Sequence, residues 1–388
     1  MDSLSAANTQ FSLNLFKKIS ETNTRANVFY SPLSISSALA MVSLGAKGNT
    51  QDQILKVLCL NKEEDYHSSF NKLMSGLNKP GDSCTLSLAN RLYGEKSFQF
   101  IDKFISDSQK YYQAGLESVD FKTNAEAERV NINNWVEKQT QGKIIDLLPK
   151  GIVDDQTSLV LINAIYLKAV WAEKFPPQCH GAEEQQFRLN KNETKPVKMM
   201  NQKTNLPLTF ISKVKCQIVE LPYVGKNLSM LIILPKDIKD DTTGLQKLEK
   251  TLTYEKLMDW TKPEKMSQVR VDLSLPKFRL EETYDVKSLL KSLGMVDAFE
   301  FGTANFSGMS TNSDLMLSDV IHKSFIDVDE DGTEAAAATA TVATRRGSAP
   351  RHRYIVKTEV FNADHPFLFF IRHNPTNSIV CFGRFCSP

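Results

Sequence analysis

The sequence is short of most features that would fix a chemistry at once. It has no run of about 18 apolar residues, so no membrane-spanning helix and no membrane partner are expected. No G-x-S-x-G, H-E-x-x-H or phosphate-loop pattern occurs, and catalysis is not expected. Six cysteines (Cys59, Cys84, Cys179, Cys216, Cys381, Cys386) are scattered without CxxC or Cys/His ligand spacing, so neither a metal nor a cofactor is called for. An excess of one charge is missing too. Forty-seven Lys+Arg against 45 Asp+Glu leave +2, too even to argue for a nucleic-acid partner, and no helix carries a basic stripe.

The start of the chain has neither a basic beginning nor a long apolar stretch, so no cleavable signal is expected. Together with the scattered cysteines this points to reduced thiols in the cytoplasm, with unconventional release from the cell left open. The sequons at Asn192, Asn227 and Asn305 are then expected to stay unmodified. No internal repeat and no Pro/Gly/Ser linker parts the chain. Its 388 residues, 41% of them hydrophobic, can bury a large core, and length alone allows two or three domains.

Local patterns give a mixture of helix and strand. Leu4, Ala7, Phe11, Leu15 and Ile19 recur at helical spacing, and Ile35, Ala38, Leu39 and Val42 share a face over 34–44, with Pro32 near that helix start. A near-continuous apolar run over 159–167 suits a central strand covered on both faces. A similar strand over 228–234 stops at Pro235, and Val269, Val271, Leu273 and Leu275 alternate with polar residues. A helix over 285–293 ends at Gly294, and strands over 367–371 and 378–382 form a C-terminal hairpin around Asn374-Pro375-Thr376-Asn377. The class is α+β.

The most telling stretch follows Gly332, Thr333 and Glu334. Residues 335–344 (AAAATATVAT) carry no charge and nothing larger than valine, and Arg345 and Arg346 close them. Such a segment fits a tight place and also offers basic bait. Taken alone it also suits an exposed helix, because alanine is the best helix former. Asn163, set in the apolar run, is a second oddity: a buried amide without partners costs ~1–3 kcal/mol.

Four further segments carry a likeness: 27–39 (NVFYSPLSISSAL), 161–171 (LINAIYLKAVW), 322–334 (HKSFIDVDEDGTE), and 363–371 (ADHPFLFFI) with Phe382-Gly383-Arg384. Their order and length resemble the serpin family of serine protease inhibitors. The ends resemble its ovalbumin-like intracellular group, that of the leukocyte elastase inhibitors. Leu167 and Ala169 depart from the usual Phe and Gly, which bears on local packing and not on the fold. The resemblance implies one domain over 1–388 with three β-sheets, eight to nine helices and an exposed reactive-centre loop within 332–360. It overrides the length prior.

The resemblance also implies a mechanism: a protease cleaves the loop, forms an acyl-enzyme, and is carried across the protein as the loop inserts into the main sheet. The hinge would be Gly332, Thr333, Glu334, Ala335, Ala336, Ala337, Ala338 and Thr339. Period two puts Thr333, Ala335, Ala337, Thr339 and Thr341 on one face, all small enough to enter a packed interior. The family places Ser34, Ser37, Asn163 and His322 where the sheet parts, and Trp171 where the loop first enters. Counting fourteen positions from Gly332 gives a reactive bond at Arg346–Gly347, whereas counting back from the C-terminal segment gives about Arg353; Arg345 is a third candidate. Insertion length must match the sheet, which favours Arg346.

An arginine bait implies a trypsin-like serine protease held in a covalent complex, with an arginine-accepting cysteine protease as the alternative. The alternative class is a non-inhibitory serpin acting as a binding or chaperone-like protein. Arg351, His352 and Arg353 read either as a protease- or polyanion-binding cluster or as a solvated loop. The protein is expected to be a monomer that polymerises on heating, because the uncharged, proline-free loop can add to an open sheet.

Overall fold

The structure, a computed structural model, describes residues 2–77, 84–176, 183–238, 241–333 and 357–388. Nine α-helices lie among the described residues. The first six are α1 (Asp2–Thr22), α2 (Pro32–Ser43), α3 (Gly48–Val57), α4 (Tyr66–Leu77), α5 (Asp102–Tyr112) and α6 (Phe121–Gln139). The short α7 (Gln246–Thr251), α8 (Tyr254–Trp260) and α9 (Val286–Leu293) follow between strands. The helical periodicities hold: Leu4, Ala7, Phe11 and Leu15 are buried along α1, and Asp285 caps α9, which ends on Gly294 at φ +111°.

Fifteen strands build two hydrogen-bonded sheets among the described residues. The six-stranded sheet contains β2 (Cys84–Glu95), β3 (Leu116–Val119), β4 (Leu159–Val170), β10 (Phe278–Asp285), β11 (Asp319–Val328) and β12 (Gly332–Thr333). Its order is β10-β11-β12-β4-β2-β3. The larger sheet holds β1 (Val28–Tyr30), β5 (Glu183–Arg188), β6 (Thr194–Ile211), β7 (Cys216–Pro222), β8 (Leu228–Pro235) and β9 (Ser267–Pro276). Its last three strands are β13 (Thr358–Asn362), β14 (Phe367–His373) and β15 (Ser378–Phe385).

The α+β class stands, and the count of three sheets needs one refinement. The 18-residue β6 pairs with β9 along Met199–Leu208, with β5 at its start and with β7 at its end. One strand thus joins what would otherwise be two sheets, and the hydrogen bonding runs through both.

Strand β4 explains its own near-continuous apolar sequence. Leu159, Leu161, Ile165, Leu167 and Ala169 face the main core with α1, α2 and β15. Val160, Ile162, Ala164 and Tyr166 face a second cluster with Phe121, Ile132 and Val136 of α6. Both faces are covered, so period-two alternation has no polar side to show. Asn163 belongs by parity to the main-core face, directly over α2, whose twelve residues are all buried.

Candidate functional site: the seam between β4 and β11

β4 and β11 run parallel and pair from Val160↔Asp319 to Tyr166↔Phe325. Beyond that point they separate and β12 lies between them, with Thr333 opposite both Val328 and Ala169 and Gly332 opposite Val170. The seam is closed along its middle and parted at one end by two residues of chain.

The parted end is held by packing and backbone contacts. A Cβ on Gly332 would stand 2.1 Å from the Ala169 carbonyl oxygen, so only glycine fits there. Thr333 is fully buried and its hydroxyl lies 2.7 Å from the Tyr223 hydroxyl. The Tyr223 ring stacks on Trp171 at 4.6 Å between centroids and 7° between planes. Trp171 donates from Nε1 to the Asp329 carbonyl at 3.0 Å and from its backbone N–H to the Asp331 carbonyl at 3.0 Å. Asp329 Oδ1 accepts from the N–H groups of Asp331 and Gly332, which closes the turn ahead of β12. Two exposed-to-intermediate ion pairs, Lys277–Glu330 at 2.5 Å and Lys174–Asp331 at 2.8 Å, flank that turn.

The closed middle is polar and buried. His322 and Asn163 are register partners, and the His322 ring bonds Asn163 Oδ1 through Nδ1. Nε2 of the same ring accepts from the Ser31 N–H at 3.1 Å, so the proton sits on Nδ1 and the ring is neutral. Complete burial pushes the His322 pKa down to about 3. Asn163 Nδ2 donates to Ser34 Oγ at 2.7 Å, to the Ser34 carbonyl at 3.1 Å, and to Asn90 Oδ1. Ser37 Oγ donates to the Ser34 carbonyl at 2.9 Å and accepts from Asn90 Nδ2 at 3.5 Å. Ser31 caps α2 by accepting from the Ser34 N–H.

Ser34, Ser37, Asn163 and His322 therefore meet in one hydrogen-bonded cluster. Trp171, which directly follows β4, stands eight positions from Asn163, roughly 26 Å at strand rise, at the parted end of the seam. Asn90, Ser31 and Tyr223 escaped the reading of the sequence. Asn90 had a signal, because it interrupts Leu86, Leu88 and Leu92 on one strand face as Asn163 interrupts its own series. Tyr223 had none, since only the fold brings it to Thr333. Of the hinge, Gly332 and Thr333 lie in β12. Glu334, Ala335, Ala336, Ala337, Ala338 and Thr339 lie outside the described residues, as do Arg345, Arg346, Gly347, Arg351, His352 and Arg353. Five cysteines are free, Cys179 lying outside the described residues, and the described residues hold no cluster suited to a metal. No described helix is long and apolar enough to cross a membrane.

Comparison with known proteins places this architecture. The family model described as "Serpin (serine protease inhibitor)" matches residues 6–388. The leukocyte elastase inhibitor of Equus caballus is 52% identical over 388 residues, covering all of both chains. The crystal structure of uncleaved ovalbumin superposes with a TM-score of 0.88 at 36% identity over all of both chains. A structure of maspin gives 0.90 at 39% identity, covering all of this chain and 99% of the other.

Proposed function

The chain belongs to the serpin family, and from that premise we propose that it inhibits proteases as a suicide substrate, acting as one unit over 1–388 with its bait loop within 332–360. The attacking protease side chain adds to the Arg346 carbonyl carbon, the amide bond to Gly347 breaks, and the amine leaves on Gly347. The acyl ester keeps the protease on the N-terminal side of the loop. Residues from Glu334 onward then extend β12 between β4 and β11. At ~3.3 Å per residue, the thirteen residues from Glu334 to Arg346 carry the ester by about 43 Å. Each ladder bond adds about 1 kcal/mol, so a dozen supply on the order of ten kcal/mol toward holding a distorted enzyme.

The observation that carries this reading is the position of Gly332 and Thr333. They are already paired with β4 and β11, so insertion continues an existing strand and needs no new nucleus. The neutral His322–Asn163 pair gives the still-closed seam polar contacts that can be exchanged as it opens. Arg346 directs the bait to an enzyme with an acidic primary pocket, a trypsin-like serine protease or, as the second partner class, an arginine-accepting cysteine protease. That the curated relatives include leukocyte elastase inhibitors favours an inhibitor over a binding or chaperone-like serpin. Free thiols, including buried Cys381 and Cys386, suit a reducing, cytoplasmic setting. Incubation with trypsin should give an SDS-stable complex. Full recovery of trypsin activity with only a nicked inhibitor would contradict the proposal.

A further inference from the structure

A groove of about 1060 Å³ opens where the β6–β7 turn, the end of β8 and α7 meet, and Phe210, Lys215, Lys236, Lys247 and Lys250 line it. A second hollow of about 520 Å³ shares Phe210 and Lys236 and ends at Val360 of β13, the strand that follows the bait loop. The fold presents these lysines together. Lys215 precedes β7 and Lys236 follows its antiparallel neighbour β8, and the Lys236 N–H donates to the Lys215 carbonyl at 2.8 Å. On α7 buried Leu248 faces the core, which leaves Lys247 and Lys250, three apart, exposed on one side. None of the four lysines has an ion pair with a described residue. The neighbouring acids are engaged elsewhere: Asp237 with Arg188, Glu249 with buried Arg384, and Glu359 with Lys357.

Two apolar side chains complete the surface. Phe210 is 53% exposed and Val360 is 63% exposed, and they flank the second hollow. β13 is fixed there by β9 and by Gln217, whose Nε2 donates to the Val360 carbonyl at 3.1 Å. The groove therefore lies on the same rigid body as the C-terminal flank of the loop.

We propose that this groove is a docking surface for the protease engaged on the loop, and that it selects proteases with an acidic patch beside an apolar one. The inference rests on the inhibitor reading and adds to it a determinant of partner choice outside the loop. Four lysines lining the groove, none with a described ion-pair partner, complement an acidic surface and would steer its approach. The exposed Phe210 and Val360 argue against a simple polyanion, which would leave both unused. Continuity with β13 argues for an occupant held at the loop.

The test compares two enzymes of the same specificity, an anionic and a cationic trypsin. The readout is the rate constant for SDS-stable complex formation with wild type and with Lys236→Glu/Lys247→Glu. Wild type should trap anionic trypsin faster at low salt, with a rate that falls as NaCl rises. The double variant should lose about tenfold or more with anionic trypsin, gain rate with cationic trypsin, and lose the salt dependence seen in wild type. Phe210→Ser should slow anionic trypsin further without altering the salt slope. An unchanged melting temperature and stoichiometry of inhibition certify the fold of each variant. Equal rates and equal salt slopes for wild type and variant would overturn the proposal. So would acceleration of wild type by heparin that the double variant loses while their heparin-free rates agree, which would give the groove to a polyanion. If wild type traps neither trypsin, the inhibitor reading falls first and the docking proposal with it.

Discussion

At one end of the β4–β11 seam two residues already lie between the strands; along its middle the strands touch and a histidine and an asparagine bond across them. The parted end depends on shape: a glycine where no Cβ fits, a threonine at zero exposure, an indole stacked on a phenol. The middle depends on protonation and hydrogen bonding among buried polar groups that partner one another. Under the proposed mechanism the seam opens from one end, and this division suits it. Shape at the parted end would then set what can enter. The polar middle would keep the sheet closed until the entering strand offers replacement bonds.

The largest expected effect comes from breaking the shape rule. Thr333→Arg would place an unpaired charge beside Tyr223 and Val328, at a cost of several kcal/mol. The loop should still be cut, but the stoichiometry of inhibition should rise at least about fivefold as cleavage outruns insertion. An unchanged stoichiometry would show that Thr333 need not remain buried.

Next is the polar middle. Asn163→Ala strands the His322 Nδ1–H and removes the donor to Ser34 and Asn90. Stability should drop by on the order of 3 kcal/mol, because each orphaned buried group costs ~1–3 kcal/mol. Chain-linked polymers should form at a lower temperature than in wild type. A melting temperature within a degree of wild type would remove the cluster from the account.

The same cluster predicts a pH dependence. His322 is neutral when folded with its pKa pushed down to about 3, whereas an exposed histidine titrates near 6.5. The unfolded chain therefore binds the proton first. The contribution is complete above about pH 6.5 and is lost as pH falls toward 3, at about 1.4 kcal/mol per pH unit. Denaturant unfolding between pH 6.5 and 4.5 should show wild type losing stability more steeply than His322→Gln. Parallel slopes would mean that His322 charges without cost.

The smallest effect sharpens the contrast. Tyr223→Phe keeps the stack on Trp171 and removes only the partner of the Thr333 hydroxyl. It should cost about 1 kcal/mol and leave the stoichiometry of inhibition within twofold of wild type. A large change would mean that the parted end, too, is governed by hydrogen bonds.

How far the sequence disclosed this seam follows from what each feature requires. The helices, the doubly covered β4 and the C-terminal hairpin were legible because burial imposes a period on the residues themselves. Asn163 stood out because an amide in an apolar run needs an explanation, and Asn90 could have been found the same way. Tyr223 left no local trace, since its partner lies 110 positions away. The lysines of the groove were missed for a like reason. They come from a turn, a strand end and a helix, so no stretch of sequence carries a basic stripe. The joining of sheets through β6 depends on hydrogen-bond continuity along 18 residues, which alternation alone does not reveal.

The central claim is that the strand begun by Gly332 and Thr333 sets the length of chain that inserts, and so the bond that is cut. Mass spectrometry of the fragment released when the covalent complex forms measures this directly. Arg346 lies fourteen positions beyond Gly332, so the fragment should begin at Gly347. Extra loop on its far side adds little closure cost, because that cost grows slowly with length. A fragment beginning at Tyr354 would contradict the account, because the seam would then have to take in seven more residues than the count from the parted end allows.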